Sequence, residues 1–133
     1  MKKNLFNKII VASCIALTLS TVSVFAATLM SYRGTEIRGK YSVNSFSTNS
    51  TQTVKINHSN DSWNNVPSSA QYMQVQVCKK NRVGFYGKTG MQFNASGVGS
   101  TTQSYSVAPG TYKLYFHAPV NPAAADISGY VSN

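Results

Sequence analysis

The chain reads as all-β: a small antiparallel β-sandwich, jelly-roll-like or Greek-key, of about nine short strands preceded by a cleaved signal-peptide helix. Three observations predict this. Apolar residues alternate at period two along nearly every segment, turn residues punctuate the chain at short intervals, and no dozen-residue window of residues 27–133 places apolar side chains at helical spacing. Two sheets sharing one core suit that spacing of strands and turns, and the chain length favours a sandwich over a small barrel.

The first element is the export signal. Lys2, Lys3 and Lys8 precede an almost wholly apolar run over 9–19, polarity returns at Ser20, Thr21 and Ser23, and small residues close the segment at Ala26 and Ala27. This order predicts a secretory signal over 1–26, with cleavage after Ala26. The apolar run falls short of the roughly 20 residues that span a bilayer, so no transmembrane segment is expected in the mature chain. Residues 11–14, Val-Ala-Ser-Cys, also resemble a bacterial lipobox, which would lipidate Cys14 and anchor the protein. The apolar run continues past Cys14 to Leu19, so release from the cell is the preferred expectation.

Residues 27–133 form one domain, and strands follow in order over 29–38, 41–48, 52–58, 71–79, 82–87, 91–95, 101–107, 111–117 and 126–132. Two of them are the clearest. In 71–79, Met73, Val75 and Val77 fall on one face and Tyr72, Gln74 and Gln76 on the other. In 111–117, Tyr112, Leu114 and Phe116 oppose Lys113, Tyr115 and His117, with Pro109-Gly110 supplying the preceding turn. Breaks are expected at Gly39, the Ser/Asn/Asp-rich stretch 59–65, Lys80-Asn81, 87–90, 94–99 and 119–125.

Charge sets the class of partner. Three of the twelve Lys and Arg lie in the signal, leaving nine cations against Glu36, Asp61 and Asp126, a net charge of +6 for residues 27–133. Such a chain is drawn to polyanions, which outside a bacterial cell means anionic glycopolymers or acidic membrane surfaces; nucleic acid ranks below these. After cleavage Cys78 is the single cysteine, so no disulfide forms within the chain and stability rests on packing. Its place at the end of an alternating run reads as a small apolar residue at a strand end.

Groups for catalysis are scarce: three acids and two histidines. His58 and Asp61 beside a serine, or Cys78 with His117, are the only nucleophilic groupings to consider, and neither sits in a recognisable motif. Residues 84–89, Gly-Phe-Tyr-Gly-Lys-Thr, have two residues between their glycines where a phosphate loop needs four. No cofactor or metal is expected. The most suggestive constellation is Lys79, Lys80 and Arg82 at a strand turn, followed by Phe85, Tyr86 and Lys88, where charge attracts an anionic polymer and ring faces stack on it. Trp63, in a polar stretch, is either an exposed sugar platform or a ring capping one end of the fold, and Phe85 is expected in the core if the turn is merely structural.

The expected function is therefore a secreted, non-catalytic binding module that recognises an extracellular or cell-surface partner: an anionic glycopolymer, a carbohydrate or a protein. Its expected binding residues are Lys79, Lys80, Arg82, Tyr86, Lys88 and Trp63. A bacteriocin-like or membrane-active effector and a small extracellular hydrolase are the alternatives.

Overall fold

The computed structural model describes residues 26–133. Apart from Ala26, the expected signal peptide and Cys14 lie outside the described residues. Nine strands follow in chain order: β1 (Thr28–Ile37), β2 (Gly39–Tyr41), β3 (Phe46–Thr48), β4 (Gln52–Trp63), β5 (Tyr72–Lys80), β6 (Tyr86–Ser96), β7 (Gly99–Val107), β8 (Gly110–His117) and β9 (Ala125–Ser132). They form two antiparallel sheets, a four-stranded one in the order β1-β9-β4-β7 and a five-stranded one in the order β2-β8-β5-β6, with β3 also pairing β8. Among the described residues no helix is long and apolar enough to cross a membrane.

The period-two pattern sends one face of every strand except the fully exposed β2 into a common core. Val54, Ile56, Ile127 and Val131 of the four-stranded sheet join Met73, Val75, Val77, Leu114 and Phe116 of the five-stranded sheet in one apolar cluster, all nearly inaccessible to water. Burying a side chain of this size stabilises by about 1.5–3 kcal/mol, and the free Cys78 forms no cross-link.

The strand count agrees with the sequence, but the divisions differ: Gly39, expected as a break, opens β2, most of the expected strand 82–87 is a turn closed by Asn81, and three further differences have a clear cause. The expected strand 41–48 is broken, because the Ser42 hydroxyl donates to the Asn44 carbonyl and accepts from the Leu114 N–H, bending the chain between β2 and β3. The expected turn at 87–90 is instead part of a single long β6. Gly90, at φ 87°, takes a bulge there, and the Thr89 hydroxyl donates to the Val77 carbonyl at 2.7 Å. The polar stretch read as a loop from residue 59 continues β4 to Trp63. Buried Asn60 holds it in the sheet by donating Nδ2 to the carbonyls of Ala95 and Gly97.

Those Asn60 bonds belong to a polar chain inside the core. Because Asn60 uses its Nδ2 as donor, its Oδ1 accepts from His58 Nε2–H at 2.8 Å, which leaves His58 Nδ1 to accept from the Tyr32 hydroxyl, also at 2.8 Å. Tyr32 on β1 reaches His58 on β4 across the intervening β9, where Gly129 pairs with both. A Cβ at Gly129 would collide with the Tyr32 ring and the Asn57 carbonyl, so glycine is what opens this path.

Candidate binding site

Register places a distinct set of side chains on the face of the five-stranded sheet that points away from the core. One cross-strand row runs Tyr41, Tyr115, Gln76, Gln92; a second runs Lys113, Cys78, Lys88; on one flank His117, Gln74 and Asn94 line up, and on the other Lys80 pairs with Tyr86. The rings meet one another. Tyr41 and Tyr115 lie 4.8 Å apart between centroids, Tyr41 and Tyr86 6.4 Å, and Tyr115 and His117 6.3 Å. The Tyr41 hydroxyl donates to the Tyr86 carbonyl at 3.2 Å, tying edge strand β2 to β6 across β8 and β5. Lys113 Nζ stands 5.2 Å from the Tyr86 ring centroid, within cation–π range.

Charge is segregated between the sheets. The strands of the five-stranded sheet and the 81–85 turn carry Lys40, Lys79, Lys80, Arg82, Lys88 and Lys113 without a single Asp or Glu, whereas Glu36, Asp61 and Asp126 all lie on β1, β4 and β9. The two aspartates are already engaged on their own sheet. Asp61 accepts from Ser59 and Ser128, and Asp126 from Ser62 and the Glu36 N–H. A sheet free of carboxylates presents an unopposed positive potential to an approaching anion.

Two buried polar groups lie in this face beneath the rings and lysine stems. Cys78 is a free thiol at 1% exposure, with its pKa raised by burial and only partly drawn back by the Lys88 ammonium. Gln76, at 5% exposure, donates Nε2 to Gln74 Oε1 while its own Oε1 has no partner. An orphaned acceptor of this kind costs about 1–3 kcal/mol. Burial, then the neighbouring Cys78 and Tyr115, raise the Tyr41 hydroxyl pKa.

The β5–β6 turn projects from one end of this face. Asn81 Oδ1 accepts from the N–H groups of Val83, Gly84 and Phe85 at 2.9–3.0 Å, and Gly84, at φ 104°, lets the chain reverse. Its tip exposes Val83 and Phe85 beside Lys80 and Arg82, so Phe85 is not the core residue that a purely structural turn would make it.

The sequence-derived residues therefore divide. Lys80, Tyr86 and Lys88 share the outer face, and Arg82 stands at its turn. Lys79 does not join them: it pairs with core-facing Tyr112, its Nζ is 5.9 Å from that ring, and its stem crosses Gly110. Trp63 is also remote. Its Nε1 donates to the Gly97 carbonyl at 2.8 Å and its ring packs on the core, capping the far end of β6, roughly 35 Å from Tyr86 at strand rise. Sequence reasoning missed Tyr41, Lys113, Tyr115 and His117, although the last three were legible as the polar side of an alternating strand.

Neither nucleophilic grouping assembles. His58 spends both ring nitrogens on Tyr32 and Asn60 inside the core, whereas Asp61 faces outward to Ser59 and Ser128. Cys78 and His117 share the outer face, but Cys78 pairs with Lys113 and His117 with Gln74, four positions away along β5 and roughly 13 Å apart. Among the described residues no group of three His, Cys, Asp or Glu side chains is placed to hold a metal ion. Compared with family models, curated proteins and solved structures, the chain matches none of them.

Proposed function

We propose that this protein is an exported, non-catalytic module of the bacterial cell exterior that binds an anionic glycopolymer on the outer face of its five-stranded sheet. In this reading the signal over 1–26 is removed, and the two sheets form a Greek-key or jelly-roll sandwich whose rigid strands hold the site. The observation that carries it is the coincidence of tyrosine rings with Lys80, Lys88 and Lys113 on a sheet without carboxylates, with Lys113 set over Tyr86. Rings supply flat C–H contact to sugars, ammonium groups supply charge, and a pleated sheet keeps both at fixed spacing for a repeating polymer. The orphaned Gln76 acceptor fits a site at which stability is given up for recognition.

A second reading has its own support. Exposed Val83 and Phe85 on a turn flanked by Lys80 and Arg82 suit insertion into the headgroup region of an acidic membrane, with the cations on anionic lipid.

Retention of the protein on immobilised polygalacturonate, neutral dextran and acidic phospholipid vesicles, at low and near-1 M salt, tests both. Salt-sensitive retention on polygalacturonate that is lost in Tyr86→Ala and Tyr115→Ala supports the polymer face. Binding confined to vesicles and abolished by Phe85→Ser moves the function to the membrane, and equal weak binding to all three surfaces overturns both readings.

A further inference from the structure

A cleft of about 310 Å³ opens where β1, the edge of one sheet, passes β2, the edge of the other. Its origin lies in the backbone. Between Gly34 and Ile37 the β1–β9 register shifts, Glu36 adopts φ 50°, and its N–H is fixed by Asp126 Oδ1 at 2.9 Å. Ile37 packs against Gly34, where a Cβ would stand 2.7 Å from the isoleucine Cγ1, so only glycine admits this packing beside the register shift. Bulges of this kind recur where an edge is shaped for a ligand.

The lining is mixed in chemistry. Buried Tyr32 and Phe116 make an aromatic floor and half-exposed Tyr41 borders it; Lys40, paired with Phe116, brings a cation from β2, whereas Arg33 borders the cleft but pairs with outward-facing Ser128. Thr35 and Asn44 add polar groups; Asn44 donates Nδ2 to the Ser31 carbonyl, which leaves its side-chain oxygen as an acceptor. Glu36 lies next to Thr35 in sequence yet is not part of the lining, so the cleft itself holds no carboxylate.

We propose that this cleft is a second binding site that takes one carboxylated sugar ring, the terminal unit of the polymer held on the adjoining face. The inference rests on the polymer reading above. Volume sets the size of the ligand: the cleft is at the bottom of the range of about 300–1,000 Å³ for small-molecule sites, enough for one ring and not for a row of them. A cation beside an aromatic floor sets its class, since Lys40 next to Tyr32 and Phe116 matches a ring with an apolar face and one anionic substituent. Continuity sets its role, because Tyr41 lines the cleft and also begins the outward row Tyr41, Tyr115, Gln76. A polymer lying along that row meets the cleft only at its end.

The test follows backbone amide shifts of Thr35, Lys40, Ser42 and Asn44 in ¹⁵N-labelled protein titrated with D-galacturonate and, separately, D-galactose. Galacturonate produces saturable shifts at these residues and galactose binds at least about fivefold more weakly. Lys40→Gln weakens galacturonate to a similar degree, and Thr35→Trp, which fills the cleft from an exposed position, abolishes the shifts while leaving retention on immobilised polygalacturonate within about twofold. Shifts that do not saturate, that are equal for the two sugars, or that survive Thr35→Trp overturn the site. Its failure is distinguishable from that of the polymer face: galacturonate binding in the cleft without polymer retention defeats the polymer face and the terminal-unit role but leaves a site for a carboxylated sugar ring, and polymer retention without cleft shifts defeats the cleft alone.

Discussion

Neutralising adjacent lysines has opposite consequences if the outer face is the binding surface. Lys79 and Lys80 are neighbours in sequence, but Lys80 pairs outward with Tyr86 and Lys79 lies across the core-facing Tyr112. On nucleic-acid polyanions each cation that displaces a counterion contributes about 0.7–0.9 to the slope of log affinity against log salt, an upper bound for a polyuronate of wider charge spacing. Three lysines, Lys80, Lys88 and Lys113, therefore contribute a slope of at most about 2–3, or roughly 20- to 40-fold in affinity between about 50 and 200 mM salt. Replacing all three by Gln removes that dependence. Lys79→Gln and Lys55→Gln, the latter on the four-stranded sheet, each remove one charge, as any one of those three replacements does, and leave the slope unaltered. The assay is affinity for polygalacturonate measured across that salt range. Should Lys79→Gln or Lys55→Gln lower the slope as much per charge as the face lysines do, attraction depends on net charge alone and the argument for a localised site fails.

Two further predictions concern the scaffold that holds the face. Gly129→Ala drives a Cβ into the Tyr32 ring and the Asn57 carbonyl and is expected to cost about 3 kcal/mol in urea unfolding; a loss under about 1 kcal/mol means that Tyr32 does not lie across β9. Burial holds His58 below its ordinary 6.5 and Tyr32 above its ordinary 10.0. The unfolded chain thus takes up the histidine proton first as pH falls and releases the tyrosine proton first as pH rises. Stability is full between these values, declines as pH drops from 6.5 and declines again above 10; an unfolding midpoint that stays flat from pH 7 down to pH 5 contradicts a buried neutral His58.

The core strands were legible because their signal is local. Alternation in Met73, Val75, Val77 and in Tyr112, Leu114, Phe116 marks one buried face whatever the partner strand, and Pro109-Gly110 marks the turn by its own backbone limits. The same locality misled the reading at 59–63 and 87–90. Polar residues and glycines there do have turn chemistry, but Asn60 finds its partners on Ala95 and Gly97, more than thirty residues away, and Gly90 is absorbed as a bulge.

Sequence alone determined that this is an all-β chain of about nine strands with excess positive charge and few groups for catalysis, because composition and period-two patterning do not depend on how strands are ordered. Only the tertiary structure decided which cations and rings share a face. Register carried Lys79 and Trp63 away from Tyr86, brought Tyr41 and Lys113 to it from strands 45 and 27 residues distant, and gathered the acids on the opposite sheet. Facing is fixed by pairing between strands far apart in the chain, and a shift of one residue would have reversed it.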